Sequence, residues 1–204
     1  MSDAADAMPG GSADAVLMAS GFSRRFGQDD KLLALFRGKP LARRALETIC
    51  ALGCFREIFF VPADPAVETL AGDLPVRVLR NRHPELGQAE SIRLGASAST
   101  AEFILFVPCD QPLLDGDTVR RIIAAGKPER IVQPAFQGVP GGPNLFSSRF
   151  REELRRLKPG ESGKTIKRKY PDLVITVEIP CKEPLIDVDT PETLRALLAD
   201  TPET

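Results

Sequence analysis

The 204-residue sequence predicts a doubly wound α/β fold with a mostly parallel sheet. Three observations carry that expectation: short, wholly apolar runs recur along the chain, helix-period patterns fill the intervals, and several of those patterns stop at glycine. Strands apolar on both faces suit a parallel sheet covered by helices on either side.

In chain order, "AVLMA" (15–19) reads as the first strand and "PLARRALETICALG" as the helix that returns the chain. "EIFFVP" (57–62), "VRVLR" (76–80), "FILFVP" (103–108) and "RIVQPAF" (130–136) are the following strands. Between them, "DPAVETLAG", "GQAESIRLGASAST" and "GDTVRRIIAAG" carry helical spacing. The C-terminal third continues with a helix near "SSRFREELRRL", a charged segment "GESGKTIKRKYP", a strand in "LVITVEIP", and a last helix in "LIDVDTPETLRALL", capped by Thr190 or Asp189 ahead of Pro191. The start is acidic and lacks the apolar run of a signal peptide, so residues 1–13 read as a disordered leader to a single domain over 14–204.

Composition restricts the function classes. Hydrophobic residues make up 43% and charged residues 27% of the chain, ordinary values for a globular protein. The 27 Lys and Arg nearly cancel the 28 Asp and Glu, so no global field draws the chain to nucleic acid or an anionic membrane, and any anion binding is local. No run approaches the roughly 20 apolar residues of a membrane span, and a cytoplasmic location is expected. Cys50, Cys54, Cys109 and Cys181 lack paired CxxC knuckles or histidine partners, which points to buried free thiols rather than zinc or disulfides.

The stretch "LMASGFSRRFGQDDK" (17–31) joins an apolar strand to a glycine-punctuated exit holding Arg24, Arg25 and Lys31. In open α/β sheets ligands bind at the carboxyl ends of strands, where a loop offers backbone N–H groups. Gly21 permits close approach to an anion, Ser20 and Ser23 add small donors, and Arg25 with Lys31 supply positive charge. The chemistry alone leaves open a solvated loop that happens to hold three cations. Two other phosphate loops are excluded. Gly21 and Gly27 are too far apart for GxGxxG, and "ESGKT" (161–165) has Lys158 where a Walker A loop needs glycine and a helix where that loop needs a strand.

The stretch resembles the (L/V)AAGxSxRxG signature, followed by Lys, of nucleotidyltransferases in the MobA-like superfamily. Four further segments match in order: "VLRNRHPELGQAESIRLG" with Asn81, Gly87, Ser91 and Arg93; "FILFVPCDQPLL" with Asp110 and Gln111; "PGGPNLFSSRFREELRRLKPGESGK"; and "LIDVDTPETL". The CDQP loop, the S-I-R helix and the closing DVDTP look most like the molybdenum cofactor cytidylyltransferase branch. The resemblance spans residues 14–198 and implies a Rossmann-like sheet of the nucleotide-diphospho-sugar transferase type. Three departures stand out: MASG where AAG or AGG is usual, Gly142 where the acceptor region has His, and Glu161 for Asp.

The resemblance further implies CMP transfer from CTP to the phosphate of a molybdopterin-type cofactor, with Mg²⁺ and with a molybdoenzyme or chaperone as partner. The alternatives are a relative using GTP or another acceptor (a phospholactate, a sugar phosphate or methylerythritol phosphate), or a non-catalytic cofactor carrier. Arg25 and Lys31 would hold the β- and γ-phosphates and act with Asp110 in catalysis. Ala19, Ser20, Gly21, Phe22, Ser23, Asn81, Ser91, Arg93, Pro108 and Cys109 would complete the nucleotide site. Asp110 follows an apolar strand and so lies at the sheet's ligand edge, where an oxygen ligand suits Mg²⁺; Asp189 or Asp187, alternating on one strand face, would be the second ligand. No catalytic base is needed, because an acceptor phosphate is already ionised. His83, the one histidine, reads as a loop residue, and "KTIKRK" as a solvated helix face, with help to an anionic acceptor as the lesser reading.

Overall fold

The computed structural model describes residues 13–20, 26 and 30–200. Its first half runs β1 (Ala13–Ala19), β2 (Leu35–Phe36), β3 (Lys39–Pro40), α1 (Leu41–Ala51), β4 (Ile58–Pro62), α2 (Pro65–Glu68), β5 (Arg77–Val78) and α3 (Gln88–Ala98). The second runs β6 (Phe103–Pro108), α4 (Gly116–Ala124), β7 (Ile131–Phe136), β8 (Val139–Pro140), β9 (Asn144–Ser147), α5 (Arg151–Arg155), α6 (Gly163–Lys169), β10 (Val174–Glu178) and α7 (Pro191–Asp200). The main sheet has the order β10-β7-β9-β6-β1-β4-β5, with β8 hanging from β7. Strand β1 lies centrally and pairs in parallel with both β4 and β6.

The apolar runs at β1, β4, β6 and β7 form the sheet as the sequence predicts, since both faces are covered. Alternate residues split between two cores: Leu17, Leu105 and Val107 face α1 and α4, whereas Val16, Ile104 and Phe106 face α3 and α5. The α3 packing against β1 is close: a Cβ on Gly95 would meet Val16 Cγ1 at 2.5 Å, so glycine lets the helix approach the central strand. Gly87, at φ +73°, makes the turn that launches α3.

Three elements differ from expectation. The strand over 76–80 shortens to Arg77–Val78, because it is an exposed sheet edge with a single neighbour. The residues "NLFS" form β9, antiparallel between β6 and β7, and so mix the sheet. This strand is only four residues long and no alternating pattern announces it. The DVDT segment is not a strand. It is held outside the sheet by one backbone bond, Val188 N donating to Asp110 O at 2.8 Å, and by Val188, fully buried with Phe36, Leu41 and Leu197. Thr190 caps α7, its hydroxyl accepting from Thr193 N at 3.2 Å.

Candidate active site

Three residues far apart in sequence meet at the carboxyl edge of the sheet. A short 3₁₀ turn over Lys31–Leu33 starts at Asp30, whose carboxylate accepts from Leu32 N at 2.9 Å. This turn presents Lys31, whose ammonium donates to Asp110 Oδ2 at 2.6 Å and to Asp189 Oδ1 at 2.9 Å. Asp110 stands just beyond β6, and Asp189 is brought in by the Val188 anchor. With Val188 pointing into the core, its neighbours point the other way. Burial disfavours the charged ammonium of Lys31, but Asp110 and Asp189 outweigh that and raise its pKa above the ordinary lysine value.

Asp187 accepts from Gln111 Nε2 at 2.9 Å. Burial, and then the charge of Asp110, push its carboxyl up to about 6. A carboxyl whose folded pKa exceeds its unfolded value of about 3.9 contributes its full stability below that value and loses it as pH rises through the folded one. Ionised Asp187 therefore costs stability above pH 6. In EDTA, Asp187→Asn is expected to melt higher than the wild type at pH 7.5 and to match it at pH 4; thermal unfolding at the two pH values checks this, and equal melting at both would remove the cost assigned to Asp187.

The site suits a hard divalent cation by its donor set. Asp110 Oδ1 is buried with no hydrogen-bond partner among the described residues, and Asp187 and Asp189 offer further carboxylate oxygens nearby. Among the described residues no three His, Cys, Asp or Glu side chains hold a metal by themselves. Mg²⁺ usually takes one or two carboxylates and completes its shell with water and substrate phosphates.

Of the other expected nucleotide ligands, Gly21, Phe22, Ser23 and Arg25 lie outside the described residues, as does Arg24. Ala19 is buried at the end of β1, and the Ser20 hydroxyl donates to Val61 O at 2.6 Å, which fixes the strand exit. Asn81 and Ser91 are brought together, both buried, with Asn81 Nδ2 3.4 Å from Ser91 Oγ and Asn81 Oδ1 accepting from His83 N at 2.8 Å. Arg93 lies on the open face of α3 and pairs with Glu90 at 2.9 Å. Pro108 lines a cavity described below, while Cys109 is buried with its thiol pKa pushed well up by burial, then by Asp110. The four thiols are free, and Cys181 is exposed rather than buried, because it stands in the loop after β10.

A cavity of about 690 Å³ adjoins the carboxylates, lined by Gln111 and Asp187 at that end. Met18, Ile92, Phe106 and Phe146 give it an apolar body, and Gln133, Asn144 and Thr176 add polar groups from the sheet. Gly142 lies in its wall, where a Cβ would stand 3.3 Å from Pro108 Cγ. Helix α6 contributes Lys164, Lys167 and Arg168, so "KTIKRK" is not simply a solvated face. No sequence signal singled out Lys167 within the run; its inward turn is set by Gln133 and Asn144, to which its ammonium donates.

Comparison with known proteins shows the family and the fold. The MobA-like NTP transferase domain matches residues 15–173. The chain is 29% identical over 193 residues to the nicotine blue oxidoreductase of Paenarthrobacter nicotinovorans, covering 90% of this chain and 95% of that protein. It is 35% identical over 115 residues to a molybdenum cofactor guanylyltransferase of Shewanella sp. (strain MR-4), covering 56% of each, and so spans about half the length of that relative. Among solved structures, a nucleotidyl transferase from Methanothermobacter thermautotroptrophicus superposes with a TM-score of 0.82 at 19% identity, covering 93% of this chain and 97% of that one. A Mycobacterium tuberculosis H37Rv protein in complex with manganese gives 0.71 at 22% identity, covering 93% and 100%. Matched over most of its length, the chain belongs to the MobA-like NTP transferase family.

Proposed function

We propose that the protein transfers CMP from CTP to the phosphate of a molybdopterin-type cofactor, using Mg²⁺ and releasing pyrophosphate. The observation that supports nucleotidyl transfer is the Lys31 ammonium shared by Asp110 and Asp189 at the sheet's carboxyl edge, beside a cavity large enough for an acceptor. An acceptor phosphate oxygen forms a bond to the α-phosphorus, the bond from that phosphorus to the α,β-bridging oxygen breaks, and the electron pair leaves with pyrophosphate. The acceptor is already ionised, so no side chain has to remove a proton. The chain's own contribution is positioning and charge: Lys31 and Arg25 offset the triphosphate, and Asp110 with Asp189 would hold the metal. Bound there, Mg²⁺ would polarise the phosphoryl group under attack.

The choice of CTP rests on the CDQP, S-I-R and DVDTP segments, and the similarity to guanylyltransferases favours GTP as the alternative. A second reading, a redox reaction in place of nucleotidyl transfer, is favoured by the match along 95% of the nicotine blue oxidoreductase. The deciding experiment measures pyrophosphate release with each NTP, Mg²⁺ and a panel of phosphorylated acceptors including the pterin, with absorbance of reduced nicotinamide followed in parallel. Release with CTP and pterin is expected. Release with GTP moves the protein to the guanylyl reading, and nicotinamide oxidation without pyrophosphate moves it to the redox one.

A further inference from the structure

Helix α6 divides its residues by face. Ile166 is buried in the core with Phe146 and Phe150, and Lys169 turns outward to pair with Glu153 at 2.8 Å. Lys164, Lys167 and Arg168, spaced at i, i+3 and i+4, share the remaining face and line the cavity. Among the described residues none of these three cations has a carboxylate partner. Three positive charges on one wall are a local excess in a chain whose net charge is −1.

Lys167 is the inner member of the set. Its ammonium donates to Gln133 Oε1 at 2.8 Å and to Asn144 Oδ1 at 2.7 Å. Both acceptors are neutral amides fixed on β7 and β9, so they orient the ammonium without cancelling its charge. An ammonium has three N–H donors, and the third has no partner among the described residues. Burial, and then the nearby Lys164, lower its pKa to about 8, as expected of a cation short of counter-charge. Its anchor Asn144 pairs in register with Phe106, four residues before Asp110, and the same cavity reaches Gln111 and Asp187. An anion held by Lys167 and the carboxylates at the sheet edge thus share one continuous space.

We propose that Lys167, flanked by Lys164 and Arg168, receives the phosphomonoester group of the acceptor and so makes the enzyme select a phosphorylated acceptor over a neutral hydroxyl compound. The inference rests on the nucleotidyl-transfer reading. A phosphate dianion offers several acceptor oxygens and the charge that Gln133 and Asn144 lack, whereas a hydroxyl offers neither.

The test is an amide-resolved NMR titration of the full chain with inorganic phosphate and with methyl phosphate, methanol being the neutral control. It is run with and without saturating CTP and Mg²⁺. Both phosphates are expected to shift Gly163, Lys167 and Asn144 while nucleotide is bound, and methanol is not. Lys167→Met is expected to weaken this binding at least tenfold, with thermal stabilisation by CTP and Mg²⁺ unchanged; Lys167→Arg, which restores the charge, should recover most of it. Lys164→Gln with Arg168→Gln, both on the exposed side of the helix, should weaken it three- to fivefold even if the inner variants fold poorly. Phosphate shifts confined to the exit of β1, or undiminished binding in the Met and double variants, would overturn the inference. Binding at α6 in a protein that ignores every NTP would support the phosphate site and reject nucleotidyl transfer instead.

Discussion

Asp110→Asn is expected to lower pyrophosphate release at least a thousandfold, roughly 4 kcal/mol of transition-state stabilisation, while the protein remains folded. Asp110 is the point on which the site converges: its Oδ2 accepts from Lys31, its Oδ1 is buried without a partner among the described residues, and its backbone oxygen holds Val188. The amide keeps the shape of the side chain and leaves the backbone bond intact. It removes the charge that steadies Lys31 and that would bind a divalent ion. Lys31 retains Asp189, so the expected stability loss is about 1–2 kcal/mol, a few degrees in melting temperature for a domain of this size. Steady-state pyrophosphate release with a circular dichroism melt checks both halves. Near wild-type turnover in the variant, or wild-type turnover in excess EDTA, would contradict a metal role for Asp110.

Lys31→Met is expected to reduce turnover at least a hundredfold and, unlike the Asn change, to leave carboxylates facing one another without the ammonium between them. The pH dependence follows from the sign of the lysine shift. Its folded pKa is raised, so its contribution is complete below the ordinary lysine value near 10.5 and is lost only as pH rises through the higher folded value. The stability gap between wild type and variant should therefore be wide at pH 7.5 and narrow at pH 3, where carboxyl groups take up protons. Mg²⁺ at neutral pH should narrow it again by standing in for the missing cation. Unfolding in urea at both pH values, with and without Mg²⁺, tests this, and a variant as stable as the wild type that ignores Mg²⁺ would refute it.

The parallel strands were legible because their residues are apolar on both faces, and α1, α3 and α4 because their stripes repeat at helical spacing and end near glycine or a loop. Strand β9 was not, since its pairing is decided by the gap between β6 and β7 rather than by its own four residues. In the site, Asp110 could be placed from the strand before it, and the pairing of Asp187 and Asp189 on one side from their alternation about Val188. The alternation needs only an extended backbone, which is why it survives although the segment is not a strand. Lys167 escaped because a run of lysines and arginines reads as a wet surface; which member turns inward depends on Gln133 and Asn144, donated by strands more than twenty positions away.

The bond from Lys31 to Asp189 spans 158 positions of sequence. Contacts of such separation form late, since a long loop must close before they are gained. A nascent chain emerging from the ribosome can build β1, α1 and β4 and pair β6 with β1, yet Lys31 still lacks its second carboxylate and Asp110 its clasp from Val188 until residue 189 has been made. A chain ended before that point would keep the pairing of β1 with β6 but would lack both the Lys31–Asp189 bond and the hold of Val188 on Asp110.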